Sequence, residues 1–183
     1  MKVILISGHA GCGKNQVASY IRDNVDKTII TGFSKYIKLM AREMTSWNGS
    51  EEDKPRTFLQ TMGDKFRAID KDILVKRMLE DIIIYKEYYN CVVISDVRLE
   101  EEINYLKKHS TDDVITIRVN CQSNGRRKLT KKEQEHQTEK DLDNYNFFDY
   151  VINNNYDEFD YIIANDDLAK TKEKVFKILE ELE

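Results

Sequence analysis

The sequence predicts an α/β fold: a doubly wound parallel sheet flanked by helices, formed by one domain. Three observations predict it. Apolar β-type runs alternate with stretches of helical periodicity. The run Cys91-Val92-Val93-Ile94-Ser95 is continuously apolar up to its last residue, as a parallel strand buried on both faces must be. The run Ile4-Leu5-Ile6-Ser7 passes through a glycine-rich turn straight into an amphipathic stretch. A length of 183 residues suits one such domain with a full core.

The first strand therefore ends at Ser7, and Gly8 to Lys14 follows as G-x-x-x-x-G-K. This spacing reads as a phosphate-binding P-loop. Glycines allow backbone N–H groups to close on phosphate oxygens, the next helix presents its N-terminal dipole, and the lysine reaches the β- and γ-phosphates. Val17, Ala18, Ile21 and Val25 fall on one face of that helix. Gly8, Gly11, Cys12, Gly13, Lys14, Asn15 and Gln16 are thus the expected ATP-binding residues. Asn15 stands where most P-loops carry a Mg²⁺-binding Ser or Thr. Its amide oxygen can coordinate a metal or hold one of its waters, but without charge, so a second residue is needed to position Mg²⁺.

Thr28 to Phe33 reads as a second, β-branched strand, and Ile37, Met40, Ala41 and Met44 as the stripe of a helix behind it. Residues 45–54 are polar and loop-like. Pro55, the only proline, suits the first position of a helix that carries Phe58, Leu59 and Met62. A further helix carries Ile73, Leu74, Met78, Leu79, Ile82 and Ile83. The apolar run at 91–95 then ends at Asp96, which could hold Mg²⁺ or its waters, or cap the helix expected over 99–107. Arg98 lies near the same strand end and could reach phosphate bidentately. Val114 to Val119 is another strand. Two similar segments follow, Phe148-Asp149-Tyr150-Val151-Ile152-Asn153-Asn154 and Phe159-Asp160-Tyr161-Ile162-Ile163-Ala164-Asn165. The second leads directly into a final helix with Leu168, Val175, Ile178, Leu179 and Leu182, and is expected to be the last strand.

Composition excludes several classes. A net charge of −4 disfavours a protein that coats a nucleic-acid polymer. Arg118, Arg126, Arg127, Lys128, Lys131 and Lys132 form one basic stretch, better suited to a small polyanion. Cys12, Cys91 and Cys121 are odd in number and widely spaced, which predicts reduced thiols and no structural zinc site. No run approaches the ~18 apolar residues of a membrane span. The first fifteen residues hold the P-loop and no targeting pattern. A cytoplasmic protein without membrane partners is expected.

Five segments carry a resemblance to a known family. Arg56-Thr57-Phe58-Leu59-Gln60-Thr61-Met62-Gly63-Asp64-Lys65-Phe66-Arg67-Ala68-Ile69-Asp70-Lys71-Asp72 resembles the R-x-x-L-Q-x-x-G-x-x-x-R-x-x-D-x-D signature of phage-type deoxynucleoside monophosphate kinases. Ile94-Ser95-Asp96-Val97-Arg98 is similar to their S-D-V-R strand end, and His136-Gln137-Thr138-Glu139-Lys140-Asp141-Leu142-Asp143 to their H-x-x-E-x-x-L-D. Phe33-Ser34-Lys35-Tyr36-Ile37-Lys38 resembles their F-A-D-P-L-K, and the P-loop is the fifth segment. The chain departs from the pattern at Asn15, usually Asp, at Leu74, often Trp, and in its doubled F-D-x-x-I-x-N segment.

The resemblance implies a P-loop kinase with two insertions, an acceptor-binding helical one over about 45–85 and a lid over about 120–140. It implies transfer of the γ-phosphoryl of ATP to a deoxynucleoside monophosphate with Mg²⁺, giving two diphosphates. Lys38, Arg56, Gln60 and Arg67 would bind the acceptor; Lys14, Asp96, Arg98 and the lid arginines Arg126 and Arg127 would act in transfer. Mg²⁺ would be held by Asn15 and Asp96 through water, and His136 and Glu139 would pin the lid or touch ligand. The sequence leaves two other readings open: a related small-molecule kinase with a phosphomevalonate-type acceptor, or a non-catalytic P-loop switch. It leaves base preference and oligomeric state open as well.

Overall fold

The computed structural model describes residues 1–121, 130, 133, 135–154 and 163–182, in the last segment with side chains from residue 169 on. In chain order the described elements are β1 (Lys2–Ser7), α1 (Lys14–Asn24), β2 (Thr28–Thr31), α2 (Lys35–Met44), α3 (Arg56–Ile69), α4 (Ile73–Tyr85), β3 (Cys91–Val97), α5 (Glu100–His109), β4 (Asp113–Asn120), α6 (Gln137–Lys140), β5 (Tyr150–Asn153) and α7 (Ile163–Glu181). The strands form one sheet in the order β2-β3-β1-β4-β5, every neighbouring pair parallel.

Strand β1 is the middle of the sheet, and its alternation divides the core. Ile4 and Ile6 face α1 and α7, packing with Val17, Ala18, Ile21, Val175 and Ile178. Val3 and Leu5 face the other way, onto Val75, Met78 and Ile82 of α4 and Ile103 and Leu106 of α5. A strand covered on both faces can have no polar side, which explains its unbroken apolar run. Full burial of each such side chain is worth about 1.5–3 kcal/mol.

The register places the site. Lys2 pairs with both Cys91 and Asp113, and at the other end Ser7 pairs with Val97 and Arg118. The carboxyl ends of β3 and β4 therefore lie on either side of the point where the chain leaves β1. The pairing of β1 with β3 shifts between Leu5 and Ser7, and β3 extends through Asp96 to Val97.

Among the described residues the last strand is the first of the two Phe-Asp-Tyr segments, whereas the sequence expectation falls on the second. Its Asp149 is pinned to β4: Thr116 N and Oγ1 donate to Oδ2 at 2.8 and 2.6 Å, and Asp149 N donates back to Thr116 Oγ1 at 3.0 Å. Asn154 N closes the other end on Asn120 O at 2.7 Å. In the second copy, residues 159–162 lie outside the described residues, and Ile163 to Asn165 belong to α7. Among the described residues no helix is long and apolar enough to cross a membrane.

Candidate active site

The loop between β1 and α1 is built around three glycines with positive φ. Gly8 has φ 150°, and a Cβ there would come within 2.3 Å of Val119 O on β4. Only glycine fits so close to a neighbouring backbone. Gly11 and Gly13 have φ 85° and 92°, in the left-handed region. Gly13 starts α1, and its carbonyl accepts from Gln16 N and Val17 N at 3.0 and 3.1 Å. Lys14 Nζ folds back over the loop and donates to Gly8 O and His9 O, both at 2.7 Å. The lysine is buried. That burial, reinforced by the nearby Arg98 charge, holds its pKa well below the usual lysine value, although Glu139 and Asp96 pull it upwards.

Behind the loop lies a second support. Asn154 Nδ2 donates to Cys12 O at 3.0 Å, and Thr171 Oγ1 of α7 donates to Asn154 Oδ1 at 2.9 Å. Both side chains are buried. Cys12 and Cys121 form a disulfide, with Cα atoms 5.2 Å apart, which corrects the expectation of three reduced thiols. Their 109-residue separation carries no pairing signal in the sequence; the parallel register brings the end of β4 to the loop. Cys91 is free and buried, and burial pushes its thiol up to about 11.

Two cavities open at the carboxyl end of the sheet. One, of about 310 Å³, is lined by the loop residues Ala10, Gly11, Gly13, Lys14 and Asn15 and by Ser95. The other, of about 140 Å³, has apolar walls from Phe33, Ile37, Leu59 and Leu74, with Gln60, Arg67, Glu102 and Thr138 among its polar lining. Lys38, Lys54, Arg56, Asp96 and Arg98 line both. Four cations and one carboxylate thus stand where the two cavities meet. Of the residues expected to bind an acceptor, Lys38, Arg56, Gln60 and Arg67 all line the smaller cavity.

Asp96 does not cap α5. That helix is capped from within: Glu102 Oε2 accepts from Arg98 N and Leu99 N at 2.8 and 3.1 Å. Asp96 grips the turn between β2 and α2 instead. Its carboxylate accepts from Phe33 N at 2.7 Å, from Ser34 N at 3.2 Å and from Ser34 Oγ, with Lys38 Nζ at 3.6 Å. Gly32 makes room for this: a Cβ there would lie 2.5 Å from Asp96 Oδ2. Burial disfavours the charge on Asp96, but Lys38 and the donors from Ser34 and Phe33 outweigh it, so its pKa lies below the ordinary carboxylate value.

This donor set fits Mg²⁺ at second hand. Asn15 and Asp96 line the same cavity, but Asp96 already accepts three hydrogen bonds. Among the described residues no three His, Cys, Asp or Glu side chains are grouped as a metal cage. Such a site suits an ion that keeps its waters and takes its direct oxygens from phosphates.

Arg98 Nη1 lies 2.9 Å from Glu139 Oε2 and donates to Gly8 O at 3.3 Å. Arg118 donates to Ser7 Oγ and Asp143 Oδ1, each at 3.0 Å, and His9 Nε2 is 2.9 Å from the same Asp143 oxygen. His136 bonds Asp64 of α3 at 3.0 Å through Nε2 and caps α6 through Nδ1. His136, Glu139 and Asp143 thus fasten the α6 segment to α3, Arg98 and the P-loop. Arg126 and Arg127 lie outside the described residues.

Sequence reading missed Lys54, Glu102 and the position of Arg118. Lys54 falls in a stretch read as loop, where one polar residue looks like another; burial lowers its pKa despite a 2.9 Å pair with Glu51. Arg118 was grouped with a basic stretch, whereas the strand register alone puts it beside Ser7.

The P-loop between β1 and α1 and a parallel sheet ordered 2-3-1-4-5 define the architecture. The fold is an α/β fold, a parallel sheet flanked by helices with the glycine-rich loop at the end of its middle strand. No family model and no curated protein matches the chain. Among solved structures it is similar to a shikimate kinase from Bacteroides thetaiotaomicron, 15% identical, with a TM-score of 0.49 over 98% of each chain. It is similar to a thymidylate kinase from Ehrlichia chaffeensis, 14% identical, TM-score 0.46, over 97% of this chain and 98% of that one. A tunicamycin resistance protein from Deinococcus radiodurans is 13% identical, TM-score 0.44, over 92% of this chain and 94% of that one. At this distance none of them assigns a ligand or a reaction to this chain.

Proposed function

We propose that the protein is a deoxynucleoside monophosphate kinase, which moves the γ-phosphoryl of ATP to a monophosphate and yields ADP and a deoxynucleoside diphosphate. The observation that carries this reading is the pair of cavities joined at Lys38, Lys54, Arg56, Asp96 and Arg98. A nucleotide switch needs the P-loop cavity only. A second cavity with cations at its mouth and apolar walls behind suits a second molecule that carries phosphate at one end and a flat ring at the other. Gln60 can offer such a ring both a donor and an acceptor, which favours a nucleobase over a branched aliphatic acceptor such as phosphomevalonate.

In this reading residues 45–85 form the acceptor-binding insertion and 120–140 the lid. The acceptor is already an anionic phosphate oxygen, so no general base is required; catalysis comes from alignment and charge neutralisation. Lys14 leaves its carbonyl partners for the donor's β- and γ-phosphates, and the loop N–H groups cradle the rest. Arg56, Lys54 and Lys38 hold the acceptor phosphate. Arg98, tethered to Glu139, stands between the two, with Arg126 and Arg127 assigned to cover the transferring group. Asn15 and Asp96 would hold the waters of Mg²⁺, which when bound neutralises charge on the β- and γ-oxygens.

A coupled assay of ADP formation across the four deoxynucleoside monophosphates and phosphomevalonate tests the proposal. Turnover on at least one deoxynucleotide, above that on phosphomevalonate, is expected. Turnover on phosphomevalonate alone, or ATP binding with no transfer to any acceptor, would overturn it.

A further inference from the structure

The smaller cavity has two ends, and their lining residues differ in chemistry. At one end it shares Lys38, Lys54, Arg56 and Arg98 with the P-loop cavity. At the other it shares Arg67, Leu74 and Glu102 with a further recess between the α3–α4 turn and the start of α5. Glu102 is 5% exposed. Its Oε2 is occupied by the N–H groups of Arg98 and Leu99, and none of the hydrogen bonds found among the described residues goes to Oε1. Here one oxygen is fixed by the helix start, which orients the group, and the other belongs to a residue on the cavity wall.

We infer that Glu102 is a specificity residue for the acceptor: its Oε1 accepts a hydrogen bond from an exocyclic amino group on the nucleobase. This rests on the kinase reading above. At the shared end four cations outweigh the one carboxylate, Asp96, whereas at the other Arg67 is matched by Glu102, so the phosphate is drawn to the shared end and the base lies towards Glu102. Phe33, Leu59 and Leu74 offer apolar surface to the ring faces between the two ends. Burial raises the Glu102 carboxyl to about 7 against the pull of the Arg98 and Leu99 N–H groups and of Arg67, so the ionised, accepting form prevails above that pH, where the base ratios are to be compared. Guanine, adenine and cytosine carry amino donors at the base edge. The single edge N–H of thymine lies between two carbonyl oxygens, which a carboxylate opposes.

The test compares kcat/KM for dGMP, dAMP, dCMP and dTMP in the wild type and in Glu102→Gln. The amide keeps an oxygen for Arg98 N and Leu99 N and turns N–H donors towards the cavity. The wild type should favour the amino-bearing bases, and the variant should move the ratio towards dTMP by about tenfold or more, with KM for ATP unchanged. A helix-capping role alone would lower every substrate alike. If the variant does not fold, the substrate side carries the same test in the wild type. Monophosphates of hypoxanthine and purine, which lack the amino groups of guanine and adenine, should be about tenfold poorer than dGMP and dAMP. An unchanged base ratio, or equal turnover of the amino-deleted substrates, would overturn the inference and leave the kinase reading standing. No transfer to any deoxynucleotide would overturn both.

Discussion

Replacing Asn154 with Ala should damage stability and donor binding together, because this one buried side chain ties α7 to the P-loop. The change removes the 3.0 Å bond to Cys12 O and the 2.9 Å bond from Thr171 Oγ1. Each bond is worth about 0.5–1.5 kcal/mol net, and the Thr171 hydroxyl, 2% exposed, is left without a partner at a cost of about 1–3 kcal/mol. Together these give a loss of roughly 2–6 kcal/mol, a large part of the ~5–15 kcal/mol of an ordinary domain. Thr171→Val keeps the bond to Cys12 and removes only the outer link, so it should cost less, about 1–3 kcal/mol. Urea unfolding of both variants and of the double variant measures the coupling, and initial rates over ATP concentration measure the loop. KM for ATP should rise several-fold in Asn154→Ala and little in Thr171→Val. An Asn154→Ala protein within roughly 0.5 kcal/mol of the wild type, with an unchanged KM, would refute the idea that this pair holds the loop.

Lys14→Ala should cut phosphoryl transfer by about 10²–10³-fold or more, the usual effect of losing one preorganised donor to developing charge, while thermal melting stays near the wild type because burial already disfavours the lysine's charge; near-normal turnover would remove the P-loop assignment. Asp96→Asn should lower turnover and raise the Mg²⁺ concentration needed, whereas Asn15→Asp should keep or improve activity; a Mg²⁺ titration of both checks this, and unchanged metal dependence in Asp96→Asn would leave Asp96 as an anchor of the β2–α2 turn. Stability should also depend on pH through Glu102, which burial raises from 4.5 to about 7. A raised carboxyl binds its proton more tightly in the folded protein, so its contribution is fully present below pH 4.5 and is lost as pH rises through about 7. Denaturation measured at both ends of that window should show the wild type losing roughly 3 kcal/mol more than Glu102→Gln, and parallel pH profiles would contradict it.

Much of this was legible in the chain because it is local. The P-loop occupies consecutive residues, its glycines mark positive φ where the structure has it, and the apolar runs at 4–7 and 91–95 identify strands with both faces covered. Lys38, Arg56, Gln60 and Arg67, suggested by resemblance, do line one cavity. What was hidden depends on register. Arg118 reaches Ser7 because β4 pairs in parallel with β1, and Cys121 meets Cys12 for the same reason. The choice between the two Phe-Asp-Tyr segments turned on Thr116, a residue on another strand whose hydroxyl and N–H both seek Asp149. Glu102 read as one acid among three at a helix start; only its burial beside the cavity distinguishes it.

The bond between Cys12 and Cys121 changes the topology that the chain must find as it folds. Strands β1 and β4 are neighbours in the sheet although Ser7 and Arg118 are more than a hundred residues apart in sequence. Through the sulfurs the same two residues are only a handful of positions apart. A pairing that otherwise closes a very long loop becomes a short-range one, and the entropy of closing that loop, on the order of 4–5 kcal/mol for a ring of this size, is removed from the unfolded chain in advance. The oxidised protein should therefore assemble the centre of its sheet as a nearly local event, faster than the same chain with its thiols free.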